Sequence, residues 1–432
     1  METPRWFDEV REKPPSRTNF DYVPHLSLQE RNRRWEELRR RMILRGMDCL
    51  IFYGNDVSWG RGMANFRYIT HCASAFGGWA VFLLEGEPVV FTGAPHLHVP
   101  HSIYLSLQDW VQDFRPDNGV GAVSDYIKQK GLDHGRIGII AYGTPNTAHT
   151  LPYNGYVSLT QRLPNASFSD ETGIINEMRM IKSSEEINFL EKACLIARKK
   201  IDTMIEATHP GATEAEIWIR MIATDILNGG EPQTFNLLTS DNVIEEDKGY
   251  KHLLHGSEQP GAPTMRPIRK GDLVITEFHT VYCGYMSATE FSVFVGDPPR
   301  ELVEIHKACI ESLHAAEKIM KPGSTMRQVW EAMREPADRR GFDFVELGYH
   351  AHGLGSPEFP GVVYRPGDHR SSGRYIGDMH LQENMVLGTN IDVHNPKWRK
   401  DVGLQLGDTF HITSNGSHRM VNIPTDFACI KV

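Results

Sequence analysis

The chain has 432 residues, with 46 Lys and Arg against 55 Asp and Glu, for a formal net charge of −9. Apolar residues make up 40% and charged residues 23%, a balance that excludes disordered, collagen-like and coiled-coil classes and argues for two globular domains. The acidic surplus disfavours nonspecific nucleic-acid or anionic-membrane binding, and the longest apolar run, residues 79–84, is far too short to span a bilayer.

Residues 1–26 are charged and broken by Lys13-Pro14-Pro15-Ser16, which reads as an arm. The start, Met1-Glu2-Thr3-Pro4, has neither the basic nor the apolar segment of a secretory signal. Six scattered cysteines without a C-x-x-C pair point to reduced thiols and a cytoplasmic protein. A helix is expected over residues 27–45, because Leu28, Trp35, Leu38 and Met42 fall on one stripe. Its other face is basic (Arg31, Arg33, Arg34, Arg39, Arg40, Arg41) and reads as a solvated surface, with an interface or anion site as the alternative. Apolar runs at residues 49–53, 79–84, 88–92 and 137–142 alternate with helical segments, which predicts an α/β domain over residues 27–176. The triplet His96, His98 and His101 has a metal-like composition but sits among prolines without an acid cluster, so a loop leading into a helix is the preferred reading.

Residues 177–432 form the second domain. Ser183 and Glu186 make a capping box, and Ile187, Leu190, Cys194, Ala197, Ile201 and Met204 recur every three or four residues behind it. His209-Pro210-Gly211-Ala212-Thr213 with Ile217-Trp218 returns 112 residues later as Lys321-Pro322-Gly323-Ser324-Thr325 with Val329-Trp330. Two copies of helix, helix and hairpin imply a pseudo-twofold α+β domain, in which Glu277 pairs with Asn390 and His279 with Asp392. Glu277 with His279, His350 with His352 and Asp392 with His394 each stand two apart in strand contexts, and Glu290 and His411 lie nearby in sequence pattern. Spacing of two puts a pair on one strand face, where an unpartnered buried charge is expensive unless a pocket uses it. No nucleophile elbow, P-loop or dinucleotide fingerprint occurs, which counts against serine-nucleophile and nucleotide chemistry.

Met178-Arg179-Met180-Ile181-Lys182-Ser183-x-Glu185-Glu186, Lys270-Gly271-Asp272, Gly284-Tyr285 and Tyr349-x-x-His352-Gly353-x-Gly355 resemble the M24 pita-bread family. That family includes methionine aminopeptidase, Xaa-Pro peptidases and creatinase. The resemblance implies an N-terminal creatinase-like domain and a pita-bread catalytic domain. The peptidases' two-metal ligands map onto Glu277, Ala288, His352, Asn390 and Gly407, so three positions lack a carboxylate or imidazole and the dinuclear site is expected to be absent. Gly284-Tyr285-Met286-Ser287-Ala288-Thr289-Glu290 resembles the metal-free creatinase segment, which implies that Glu290 grips a cationic or amide group. The creatinase catalytic histidine falls at His255 or His252, and the loop arginine of creatinase is replaced within Phe76-Gly77-Gly78.

The leading expectation is therefore a metal-independent hydrolase, or a lyase, that cleaves a C–N type bond of a small polar molecule. His255 and His352 would supply acid-base chemistry with Glu290 and Glu277, while Phe76, His279, Asn390, Asp392 and Arg365 (or Arg370) would bind substrate. The resemblance further implies a homodimer whose site is completed by the partner's N-terminal domain. A metal-dependent alternative places one divalent transition ion on His279, Glu290, His352 and Asp392, with His394 or His411 in reserve. A non-catalytic binding protein is the third reading.

Overall fold

The computed structural model describes residues 23–55, 61–72, 77–92, 109–115, 117, 119–141, 151–232, 235–244, 263–362, 376–399 and 401–432. His252, His255, Phe76, Arg365, Arg370 and the His96, His98, His101 triplet lie outside them. The chain divides into two compact units, Met1–Arg179 and Met180–Val432. Among the described residues no helix is long and apolar enough to cross a membrane.

In the first unit, α1 (Leu28–Arg45) starts at Ser27, whose side chain accepts the Glu30 N–H, and ends at a left-handed Gly46. Trp35, Leu38 and Met42 are buried as their spacing predicts, but Leu28 is exposed. The basic face is not simply solvated. Arg33 and Arg34 pair with Glu30, and Arg40 and Arg41 pair with Glu37. Arg34 is fully buried, donating to the Tyr68 carbonyl and lying over the Tyr68 ring. A helical repeat cannot reveal this, because the partner that draws Arg34 inward comes from elsewhere in the chain.

The six-stranded sheet of this unit contains β1 (Cys49–Gly54), β2 (Gly78–Leu83), β3 (Val89–Thr92), β4 (Asp113–Arg115), β5 (Arg136–Ile140) and β6 (Ser167–Asp170), in the order β4-β3-β2-β1-β5-β6. β1 runs antiparallel to β2 and parallel to β5. The helices α2 (Ala64–Thr70), α3 (Val120–Gln129) and α4 (Tyr153–Arg162) lie between these strands in the chain, and α5 (Thr172–Met180) follows β6. Cys49, Ile51, Trp79, Val81, Phe91, Val123 and Ile127 pack in one core, which is the burial an α/β layer requires.

In the second unit, α6 (Ser184–Ala207) carries the Ser183–Glu186 capping box, and α7 (Glu214–Leu227) a second one from Thr213 and Glu216. These lead into β7 (Asn236–Asn242), β8 (Asp272–Tyr282) and β9 (Tyr285–Val295). The second copy runs through α8 (Arg300–Ile319), α9 (Met326–Asp338), β10 (Asp343–Ala351), β11 (Glu358–Val362) and β12 (Val386–His394). The copies agree in backbone detail. Gly211 and Gly323 both adopt left-handed φ values, of 91° and 88°, which glycine reaches without strain. Their N–H groups donate to the carbonyls of Ile268 and Leu381, each at 2.9 Å. Trp218 donates its indole N–H to Asn236, and Trp330 donates to Leu347. The chain closes with β13 (Gly403–Leu406), β14 (Thr409–Thr413), β15 (Gly416–Arg419) and β16 (Ala428–Ile430). One sheet has the order β16-β9-β8-β7; the other is β11-β10-β12-β14-β15, with β13 paired to β12. Helices α6 to α9 cover a continuous apolar core against them.

His306 on α8 stacks on Phe427 at 4.7 Å, and burial pushes its imidazole down to about 4. The unfolded chain takes up a proton near pH 6.5 that the folded chain refuses until about pH 4, so this group's contribution is complete above 6.5 and is lost as pH falls. Between pH 7 and 5 the expected loss is about 2 kcal/mol. Urea unfolding of His306→Phe should show a correspondingly shallower acid loss than the natural chain; identical slopes would contradict the assignment.

Candidate active site

The site is built on paired strands of the second unit. Glu277 on β8 lies opposite Glu290 on β9, and His279 lies opposite Ala288. Alternation along each strand therefore puts all four on one face. On β12 the same periodicity aligns Gly388, Asn390 and Asp392, with Gly388 opposite His350 and Asn390 opposite Gly348 on β10. An isolated bridge between Glu290 and Gly407 joins the two halves, with the Gly407 N–H donating to the Glu290 carbonyl at 3.0 Å. Glu277, His279, Glu290, His352, Asn390 and Asp392 are all buried.

Glu290 is held by the second copy. Asn390 Nδ2 donates to its Oε1 at 2.6 Å, and the Ile391 N–H donates to its Oε2 at 3.2 Å. Asp392 Oδ2 accepts from Gln405 Nε2 at 3.2 Å, because Gln405 on β13 is the cross-strand partner of Asp392. Burial pushes the Asp392 carboxyl well above the usual carboxylate range, and the like charges of Glu346 and Glu277 push the same way. Hydrogen bonds with Gln405 and Glu290 offset part of this.

His352 is fully buried, and its Nδ1 lies 3.3 Å from the Ala288 N–H and 3.3 Å from Thr409 Oγ1. A backbone N–H can only donate, so Nδ1 is the acceptor and the neutral ring carries its proton on Nε2. Burial drives the imidazole far below its ordinary value, helped by His350, His279 and Lys182. His350 and His352 have ring centroids 4.8 Å apart, and His279 stacks on Phe235 at 4.3 Å. Behind the histidines, Lys182 Nζ is 2.5 Å from Glu358 Oε1. The His352 Nε2 has no hydrogen-bond partner among the described residues.

Two reserve ligands do not join this cluster. His394 faces Asp343 at 4.0 Å, and His411 bonds Asn384 and lies against the His418 ring. Both sit where β12 and β14 place them against neighbours of their own, and spacing alone cannot tell those neighbours from a shared pocket. Gln405 and Thr409 belong to the site's surroundings but are not among the expected site residues, whereas His350 beside His352 is. Gln405 carried a usable signal, a lone amide in the apolar strand Gly403-Leu404-Gln405-Leu406.

The peptidases' two-metal centre does not fit these residues. Ala288 and Gly407 offer no donor atom, and Asn390 spends its N–H on Glu290. A Cβ at Gly407 would lie 2.4 Å from the Thr389 carbonyl oxygen and 3.2 Å from Glu290 Oε2, so the Glu290 carboxylate stands close to where that side chain would begin. Among the described residues, no three His, Cys, Asp or Glu side chains are arranged to hold a metal ion.

Residues 188–414 match the sequence profile of Metallopeptidase family M24, and residues 34–181 match that of the Creatinase/Prolidase N-terminal domain. The chain is a member of the M24 family. M24 membership makes it a hydrolase, with a creatinase-type N-terminal domain and a pita-bread C-terminal domain, in the creatinase and Xaa-Pro branch. Among curated M24 relatives, it is 28% identical to the Xaa-Pro dipeptidase of Pyrococcus horikoshii, over 82% of this chain and 90% of that one. It is 24% identical to the ectoine hydrolase of Halomonas elongata, over 93% of this chain and 97% of the relative. The fold matches the crystal structure of the prolidase from Pyrococcus horikoshii with a TM-score of 0.71 at 23% identity, covering 91% of this chain and 99% of that chain. It also matches the X-Pro aminopeptidase from Thermotoga maritima, with a TM-score of 0.72 at 16% identity, covering 92% and 99%.

Proposed function

We propose that this M24 hydrolase cleaves a C–N bond in a small polar substrate without the two-metal centre of its peptidase relatives. The observation that carries the reading is that two of the peptidases' ligand positions are Gly407, crowded by Thr389 and Glu290, and Asn390, whose amide is bonded to Glu290. Neutral His352 presents an Nε2–H and stabilises the substrate atom that gains electron density, a role worth ~100- to 1,000-fold for one well-placed donor. It is not the base, because its Nδ1 is already occupied. That task falls to His255, by its likeness to the creatinase position. Water adds to the electrophilic carbon, its proton passes to His255, and the same proton goes to the departing nitrogen as the C–N bond breaks. Glu277, Glu290, Asn390 and Asp392 hold the substrate, and Phe76 of a partner subunit's N-terminal domain closes the pocket in a homodimer.

The ectoine hydrolase relative, aligned over nearly its whole length, puts ectoine on the substrate panel beside creatine, Xaa-Pro dipeptides and small amides. Turnover should be measured on protein dialysed against chelator, with elemental analysis of the same sample. Turnover by metal-free protein, lost in His255→Ala and His352→Ala, is the expected result. Activity that appears only on adding a stoichiometric divalent ion would replace this reading with the mononuclear one on His279, Glu290, His352 and Asp392.

A further inference from the structure

The hairpin of β14 and β15 carries two histidines that the catalytic centre does not use. His411 and His418 are directly opposed in its antiparallel register, which the short connection Ser414-Asn415 closes. On β15, Ser417 Oγ donates to the Glu317 carbonyl of α8 at 3.2 Å, and the Arg419 guanidinium lies 3.9 Å from the Glu317 carboxylate. Alternation along the strand therefore turns His418 to the opposite face, beside His411. His418 is exposed and His411 is half-buried. The two nitrogens of His411 are treated differently. Its Nε2 lies 3.1 Å from Asn384 Oδ1, an atom that only accepts, so Nε2 carries the proton and Nδ1 keeps its lone pair. That Nδ1 is buried and has no hydrogen-bond partner among the described residues. Asn384 is itself fixed, with its N–H donating to the Ile412 carbonyl at 2.8 Å and its carbonyl accepting the Lys182 N–H at 2.9 Å. Burial lowers the His411 pKa and the neighbouring His418 lowers it further, which keeps the lone pair free at neutral pH. An imidazole that donates from one nitrogen to an oxygen and leaves the other bare has the form of a metal-binding histidine.

The ring spacing fits the same chemistry. A zinc-like ion held about 2.0–2.1 Å from an imidazole nitrogen stands about 3.2 Å from the ring centre, and two such rings about 109° apart have centres about 5.2 Å apart. The His411 and His418 centroids are separated by 5.2 Å. We propose that His411 and His418 form a two-histidine site for a divalent transition ion, Zn²⁺, Ni²⁺ or Cu²⁺, with solvent completing its coordination and Asn384 as the positioning residue for His411. The bound ion clips β15, the edge strand of its sheet, to β14. Imidazole suits these ions, whereas Mg²⁺ prefers oxygen ligands and keeps its water.

The test is calorimetric titration of the chelator-stripped full-length protein with NiCl₂, ZnCl₂ and MgCl₂ near neutral pH. The natural chain is expected to bind one more Ni²⁺ or Zn²⁺ ion than His418→Ala, a change at an exposed side chain that leaves the fold intact. Asn384→Gly keeps access to the left-handed φ of 66° but removes the acceptor, and should weaken this ion by about 10-fold. His352→Ala should retain the ion, which separates the hairpin from the catalytic centre. In ¹⁵N NMR, Zn²⁺ should shift His411 Nδ1 and a ring nitrogen of His418 while the His352 resonances stay in place. Equal Ni²⁺ stoichiometry and affinity in the natural chain and His418→Ala would overturn the site. So would loss of the ion in a folded His352→Ala, Mg²⁺ binding as tight as Ni²⁺ binding, or Zn²⁺ shifts confined to His352.

Discussion

Gly388→Ala is expected to lower kcat/KM by about 100-fold or more while leaving a folded protein. A Cβ at this position would lie 2.0 Å from His352 Cε1 and 2.1 Å from Nε2, far inside contact distance. The ring would have to leave the place where its Nδ1 meets the Ala288 N–H at 3.3 Å. That contact sets the tautomer, so displacement costs both the position of the Nε2–H and the preference for having it. Overpacking of this kind typically destabilises by about 1–3 kcal/mol, which a two-domain chain survives. Gly416→Ala is the matched control, because nothing lies within 4 Å of a Cβ there. Kinetics on whichever substrate the panel identifies, together with imidazole NMR of His352, would check the result. Activity within 3-fold of the natural chain, with the His352 resonance unmoved, would remove His352 from the chemistry.

Local signals were legible and long-range pairing was not. The capping boxes at Ser183–Glu186 and Thr213–Glu216 involve residues three apart, so the sequence contains both partners. The 112-residue repeat was legible because each copy rebuilds the same turn and the same Trp-to-strand hydrogen bond. Period-two spacing correctly put Glu277 with His279 on one strand face, and the repeat set Asn390 and Asp392 on an equivalent strand. What spacing could not say is which neighbour each polar group meets. Glu290 turned out to be bonded to Asn390, 100 residues away in sequence. His394 and His411 have the same spacing logic as Asp392 yet found separate partners, Asp343 and Asn384. Arg34 reads as surface on a helical wheel and is buried because the Tyr68 carbonyl and ring receive it. Gln405 matters only through register, which β13 sets against β12.

The same dependence on distant partners makes Lys200→Met the substitution with the largest expected loss of stability, about 3–5 kcal/mol. Lys200 on α6 is fully buried and lies 2.6 Å from Asp225 on α7, with its ammonium over the Phe278 ring. Burial lowers the Lys200 pKa and raises that of Asp225, and each partner's charge opposes the other's shift. Methionine fills the aliphatic space but leaves the Asp225 carboxylate buried with Thr280, at 3.2 Å, as its remaining side-chain donor among the described residues. Lys200 also donates to the His279 carbonyl at 3.1 Å, so the same change loosens β8 behind the active-site face. The double variant Lys200→Met with Asp225→Leu removes the stranded charge as well as its partner. It should recover most of the loss, because a buried ion pair replaced by apolar residues of similar volume is often close to neutral. The double variant's recovery should be incomplete in activity, since the donor to His279 stays missing. Urea unfolding of both singles and the double, read as a mutant cycle, provides the measurement. A Lys200→Met loss below about 1 kcal/mol, or a double variant no more stable than the worse single, would show that the pair does not organise this strand.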